Sequence, residues 1–339
     1  MRSTLTNVGI DRITSVVVHP GTRAGGRYRS SRQASARAPG FPAERRLNLH
    51  NFGGRTIERM TFTHVYLGGA AAWSPDDIAK IDWALPAAMR DPHLNNVLAQ
   101  YYADGKPLSA FGGSRVLEGP LPHRVFRDTV EGFAGGLDVS GFDLASTVFC
   151  FLLPRGVVLV DGTSTGHARK RDDEEEAEFN PALRERDEAS DSKHGLGGYH
   201  GSIHRKRGSK KQTIYYAVGV YDEGTNGIAV FAEPWKNICA VFYHELCETR
   251  TDPDVEDAIR AGDTPEADRF LGWYSPRGGE IGDMPLDEAG PDLTRVMKEV
   301  KLTANSKKVP VQLMWSNAVG GPEGPIAHPH PAADRTIAH

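Results

Sequence analysis

Five residues in the C-terminal half of the chain, His244-Glu245-Leu246-Cys247-Glu248, have the types and spacing of a metal-binding helix. Residues four apart share a helix face, so the His244 imidazole and the Glu248 carboxylate project together. Both are zinc donors, at about 2.0–2.2 Å. Glu245, one residue on, is angled toward the same rim. In H-E-x-x-H metallopeptidases the glutamate at that position is the general base for a metal-bound water. Here Glu248 stands in place of the second histidine. Glutamate is common on helices, so H-E-x-x-E also arises by chance, and the competing reading is an exposed face carrying a local His–Glu pair. The neighbours argue otherwise. Ile238, Ala240, Val241, Phe242, Leu246 and Cys247 cover most of the circumference, which predicts a buried helix. A buried histidine with two buried glutamates needs partners, and a divalent metal, zinc first, would supply them.

Further donors lie on either side. Pro253 ends the helix and biases Asp252 to an extended conformation, so that Asp252, eight residues after His244, can turn back toward the same site. Glu280 and Asp283 lie in Gly279-Glu280-Ile281-Gly282-Asp283, where glycines let a loop approach a cation closely. Upstream, His200 in Gly197-Gly198-Tyr199-His200 offers a second imidazole. Asp252 has an ordinary alternative as a helix-end or turn acid, and Glu280 and Asp283 as an acidic turn, while His204 reads as an exposed loop residue. Tyr199, Tyr243 or Tyr274 could hold an oxyanion.

These groups need a scaffold, and the chain supplies signals for one. Met60, Phe62, His64 and Tyr66 alternate as in a strand. Ser74-Pro75-Asp76-Asp77 supplies an N-cap, a proline at the first helical position and first-turn acids. Ile78, Ile81 and Leu85 then share a helical face. Further helices are predicted over 92–102 and 126–133. Val148 to Val160 reads as two buried strands and Gln212 to Tyr221 as an alternating strand. Gly227 to Ala232 reads as a further strand, 235–249 as the central helix, 273–283 as a glycine-rich loop and 309–317 as a last strand. The pattern predicts an α+β domain with a mixed sheet packed on helices. The domain is expected over 49–319, after an Arg-rich, acid-poor arm (1–48) and before a Pro/Ala/His-rich tail (320–339). A charged surface insertion is expected over 163–193.

Composition excludes some functions. The 339 residues carry a net charge of -4, which argues against a polyanion binder as a whole. No apolar run approaches the roughly 18 residues of a membrane helix. No apolar segment follows Met1-Arg2-Ser3-Thr4-Leu5-Thr6, so no secretory signal and a cytoplasmic location are expected. Cys150, Cys239 and Cys247 are too few for a disulfide framework and read as small buried hydrophobes.

The segments His244 to Pro253, Gly272-Trp273-Tyr274, Gly279 to Asp283 and Val311 to Asn317 resemble characteristic segments of the EXORDIUM / phosphate-induced protein family and its bacterial relatives. Gly53-Gly54, Val65-Tyr66-Leu67 and Trp73-Ser74-Pro75 are similar to that family's opening strand and first helix, and Gly197 to His200 to a segment of the bacterial members. The likeness spans roughly residues 50–320. It departs at Met284, where cysteine is frequent. The resemblance implies a zincin-like fold with a metal-bearing helix and implies no particular reaction.

Two functions follow as expectations. The first is a metal-dependent hydrolase, a peptidase or amidase acting on a peptide or other small polymer. His244 and Glu248 would ligate the ion, with Asp283, Asp252, Glu280 or His200 as third ligand and Glu245 as general base. The second is a non-catalytic module, braced by the metal, that binds a glycan, peptide or protein partner. Nucleic-acid binding through the arm ranks last.

Overall fold

Strand alternation organises the molecule, since neighbouring residues on a strand face opposite sides. Along Thr147–Leu153, Val148, Cys150 and Leu152 enter one core while Phe149, Phe151 and Leu153 enter another. The computed structural model describes residues 15–17, 37–103, 105–164, 191–262, 264 and 266–335. Its main sheet has six strands: β1 (Ser15–Val17), β2 (Arg59–Tyr66), β3 (Leu108–Val116), β4 (Thr147–Leu153), β5 (Leu196–Arg207) and β6 (Lys210–Val220). Their order is β1-β5-β6-β4-β2-β3. The β6-β4, β4-β2 and β2-β3 pairs are parallel, and β1-β5 and β5-β6 are antiparallel. The fold is thus α+β with a mixed sheet.

The described residues include six α-helices: α1 (Pro75–Arg90), α2 (Pro92–Leu98), α3 (Arg127–Gly136), α4 (Pro234–Thr251), α5 (Val255–Ala261) and α6 (Asp283–Ala289). Ser74 caps α1 by accepting from the Asp77 N–H at 3.4 Å, with Pro75 in the first turn. α4 lies across β5 and β6 and packs against α1 and the strand Lys308–Gln312. From Asn237 to Thr251 every residue of α4 is buried, as its all-round apolar character predicts. α3 packs on the opposite face, over Phe151, Tyr199 and Tyr216.

Several expectations are corrected. Residues 37–47 and 321–335, assigned to the arm and the tail, pack on the body of the domain. Ala38 N–H donates to Pro322 O, Arg37 pairs in a β-bridge with Glu323, and Ala333 N–H donates to Gln100 O. Backbone pairing and the burial of Ala38, Phe41 and Glu323 outweigh a composition that reads as flexible. Ser15–Val17, also assigned to the arm, forms β1 and pairs with β5, while residues 1–14 and 18–36 and most of the 163–193 insertion lie outside the described residues. Residues 227–232 form no strand, because Asn237 Oδ1 takes the N–H groups of Val230 and Phe231 that a ladder would need. The last strand breaks at Leu313 into Lys308–Gln312 and Met314–Ser316, which pair with Met297–Lys301 and Gly321–Glu323 respectively. No helix among the described residues is long and apolar enough to cross a membrane. The three cysteines are free and buried.

Candidate metal centre

Helical spacing gives Glu248 two neighbours on α4, His244 at i−4 and Glu245 at i−3. All three side chains are fully buried. His244 Nε2 lies 3.0 Å from Glu248 Oε2 and 3.8 Å from Asp283 Oδ1. From β5, His200 reaches into the same space. Its Nδ1 is 3.4 Å from Glu245 Oε2 and 3.7 Å from Glu248 Oε2. Two overlapping groups result, His244/Glu248/Asp283 and His200/Glu245/Glu248, in each of which the donor atoms lie within 4.8 Å of one another. Donors held about 2.0–2.2 Å from a tetrahedral ion are roughly 3.3–3.6 Å apart. The observed spacings bracket that value, so the groups could bind a metal ion.

The surroundings fix which atoms face inward. Gln312 Nε2 donates to Gly282 O at 2.6 Å, so its Oε1 is the atom 3.1 Å from His244 Nδ1. That oxygen accepts the Nδ1 proton and leaves Nε2 with a lone pair. The Asp252 carbonyl, 3.3 Å from His200 Nε2, likewise places the proton there and frees Nδ1. Outer hydrogen bonds of this kind set the tautomer of metal-ligating histidines. Glu248 Oε1 accepts from the Gly282 and Asp283 N–H groups, both at 3.1 Å, which leaves Oε2 as the shared inward atom. His244 Nε2, Glu248 Oε2, Glu245 Oε1, Asp252 Oδ2 and both Glu280 oxygens have no hydrogen-bond partner. Buried acceptors that converge without a donor are costly. Either protons or a cation must sit among them.

Burial drives the titration of the cluster. It pushes His200 down to about 3 and His244 to about 4, which keeps both imidazoles neutral. Burial first, then neighbouring carboxylates, raises Glu245, Glu280 and Asp283 well above their usual range. Glu248 and Asp252 are raised by burial, against the pull of their backbone N–H donors. Among the described residues no lysine or arginine pairs with any of these five carboxylates. Arg250, on the same helix, is buried facing away, with Nη2 donating to Glu58 O and Leu108 O at 2.9 and 3.0 Å.

The loop before α6 owes its path to a glycine. A Cβ at Gly282 would collide with the His244 ring and lie 2.8 Å from Glu248 Oε1. Only a bare backbone can approach closely enough for its N–H to reach that carboxylate.

The sequence-predicted donors separate into three groups. His244, Glu248, Asp283, His200 and Glu245 converge. Glu280 and Asp252 border them: Glu280 Oε1 is 3.6 Å from His200 Nε2, while Asp252 Oδ1 accepts from Gly272 N–H at 2.8 Å and belongs to neither group. Tyr199 does not converge. It is next to His200 on a strand and therefore points to the opposite side of the sheet, against Tyr216 and under the Arg127 guanidinium 5.4 Å from its ring. Of the other tyrosines, Tyr243 packs in the core, and Tyr274 lies where the charges of Asp283, Glu280 and Asp252 reach its hydroxyl. Gln312 was missed; its one signal is an amide in a strand otherwise buried and apolar from Val309 to Val311. Comparison with protein-family models, curated proteins and solved structures found no match to this chain.

Proposed function

We propose that the protein is a metal-dependent hydrolase of zincin-like plan, a peptidase or amidase, with His244, Glu248 and Asp283 holding the ion and Glu245 as general base. One observation carries this reading. The His244/Glu248/Asp283 group supplies three protein ligands and leaves Glu245, on the next position of the same helix, outside it. Three ligands with a neighbouring free carboxylate is the division found in catalytic rather than structural zinc sites. A bound divalent ion would supply Lewis acidity, polarising a scissile carbonyl and acidifying a water. Glu245 would take the proton from that water and pass it to the leaving amine. Its burial, which raises its proton affinity, suits a base that must work near neutral pH. Asp283 is the one member of the three with measurable exposure, 8%. A substrate would therefore approach from the α6 side.

A second reading, a non-catalytic module braced by its metal, is favoured by a different observation. His200, His244, Glu245, Glu248, Asp252 and Glu280 are all fully buried. Cavities of about 340 Å³ beside Trp73 and Tyr221 and about 570 Å³ beside His50 and Asn317 include none of them.

The two readings are separated by metal analysis of wild type and Glu245→Gln, followed by hydrolysis of a mixed peptide and amide panel. The hydrolase reading expects an ion in both proteins and a 10²–10⁴-fold loss of hydrolysis in the variant, the usual range for a general base. Equal rates in the two proteins would remove Glu245 as base. An ion in both with hydrolysis in neither selects the brace.

A further inference from the structure

The His244/Glu248/Asp283 group uses only part of the cluster. His200 Nδ1 still faces two carboxylate oxygens at 3.4 and 3.7 Å. With its Nε2 proton directed to the Asp252 carbonyl, Nδ1 has nothing to donate. Glu245 Oε1 and both Glu280 oxygens remain unpartnered and fully buried. Charge gives an independent argument. Five buried carboxylates and two neutral imidazoles meet no lysine or arginine among the described residues. One dication offsets two of as many as five negative charges, and two offset four. Uncompensated buried charge is among the largest penalties a fold can carry.

We propose that the centre accepts a second divalent cation, held by His200, Glu245 and Glu248, with Glu248 Oε2 shared between the two ions. The proposal rests on the reading of the first site given above. Helix geometry makes the sharing natural, because Glu248 is one turn from His244 and also from Glu245. Paired ions in hydrolases stand roughly 3.5–4 Å apart, a separation that one bridging carboxylate oxygen permits. The ion in the second position would draw on one Glu245 oxygen, so that the same carboxylate is a ligand there as well as the proposed base.

The test is zinc stoichiometry of the full chain, stripped with a chelator, re-equilibrated against excess zinc and measured by elemental analysis and native mass spectrometry. The expected result is two ions in wild type and one each in His200→Gln and Glu245→Gln. Thermal unfolding of the same samples checks that the variants are folded. If His200→Gln fails to fold, Glu245→Gln, which replaces one oxygen by an amide nitrogen, decides alone. One ion in wild type, or two in a folded variant, overturns the second site and leaves the first standing. No ion in wild type overturns both.

Discussion

Replacing Glu248 by glutamine makes opposite predictions for the metal-free and the metal-loaded protein. The amide oxygen must stay where Glu248 Oε1 is, because the Gly282 and Asp283 N–H groups, both at 3.1 Å, require an acceptor. The amide nitrogen then falls at the Oε2 position, 3.0 Å from His244 Nε2 and 3.7 Å from His200 Nδ1. Those nitrogens carry lone pairs, so the variant supplies a donor to a place where wild type has only acceptors. Relief of one such buried group is worth roughly 1–3 kcal/mol. At about 2–4 °C per kcal/mol for a domain of this size class, a gain of about 2 kcal/mol raises Tm by roughly 4–8 °C in chelator. The gain depends on pH. Burial raises the pKa of folded Glu248 above its unfolded value, and the protonated acid can itself donate to His244. That contribution is fully present below the unfolded pKa, about 4.3, and is lost as pH rises through the folded value. Wild type and variant therefore lie closer in stability at pH 5 than at pH 8. Zinc reverses the ranking. At a hundred times Kd it stabilises wild type by about 2.7 kcal/mol, whereas the variant lacks the ligand common to both groups. Differential scanning fluorimetry at pH 5 and 8, with chelator and with zinc, reads all four states. A variant that is less stable than wild type in chelator at pH 8, or that responds to zinc as wild type does, refutes the convergence of lone pairs on Glu248.

Gln312→Leu removes the acceptor that fixes the His244 tautomer, so zinc affinity measured against a competing chelator should fall 10–100-fold; an unchanged affinity would show that His244 needs no outer partner. Tyr199→Phe should leave zinc affinity, zinc stoichiometry and hydrolysis within about twofold of wild type, because the hydroxyl lies across the sheet from the cluster. A tenfold change in any of the three would mean that the two faces of β5 communicate.

Sequence periodicity made much of this site legible, and its failures have physical causes. The inward row His244-Glu248 follows from 3.6 residues per turn, and the burial of α4 follows from apolar residues on every side. The N-terminus of α1 was marked by Ser74, Pro75, Asp76 and Asp77, and the cap forms there. The strand β5 was harder to see. Gly197, Gly198 and Gly201 have poor strand propensity, yet Gly198 sits where a Cβ would press within 2.9 Å of Val241 and 3.2 Å of Glu245 Oε1. The glycine that weakens the strand signal is what admits the helix. Once β5 is a strand, its alternation separates His200 from Tyr199, so the error over Tyr199 and the missed strand have one origin.

The same close approach explains why the cluster is sealed. α4 rests on β5 and β6 at glycines: Gly198 opposite Val241 and Glu245, and Gly219, where a Cβ would press within 2.9 Å of the Phe242 ring. The loop before α6 closes over His244 and Glu248 at Gly282. Bare backbone at these three positions lets sheet, helix and loop approach closely around His200, Glu245 and Glu248, all of which are fully buried. That closeness excludes solvent, raises every carboxylate in the cluster and leaves cation binding as the means of holding them ionised together. On the proposed hydrolase reading, substrate would enter by movement of the Gly279–Asp283 loop away from α4, because that loop supplies Asp283, the one proposed ligand with measurable exposure. An ion held by His244, Glu248 and Asp283 would tie that loop to α4, so on this reading occupancy of the centre would oppose its opening.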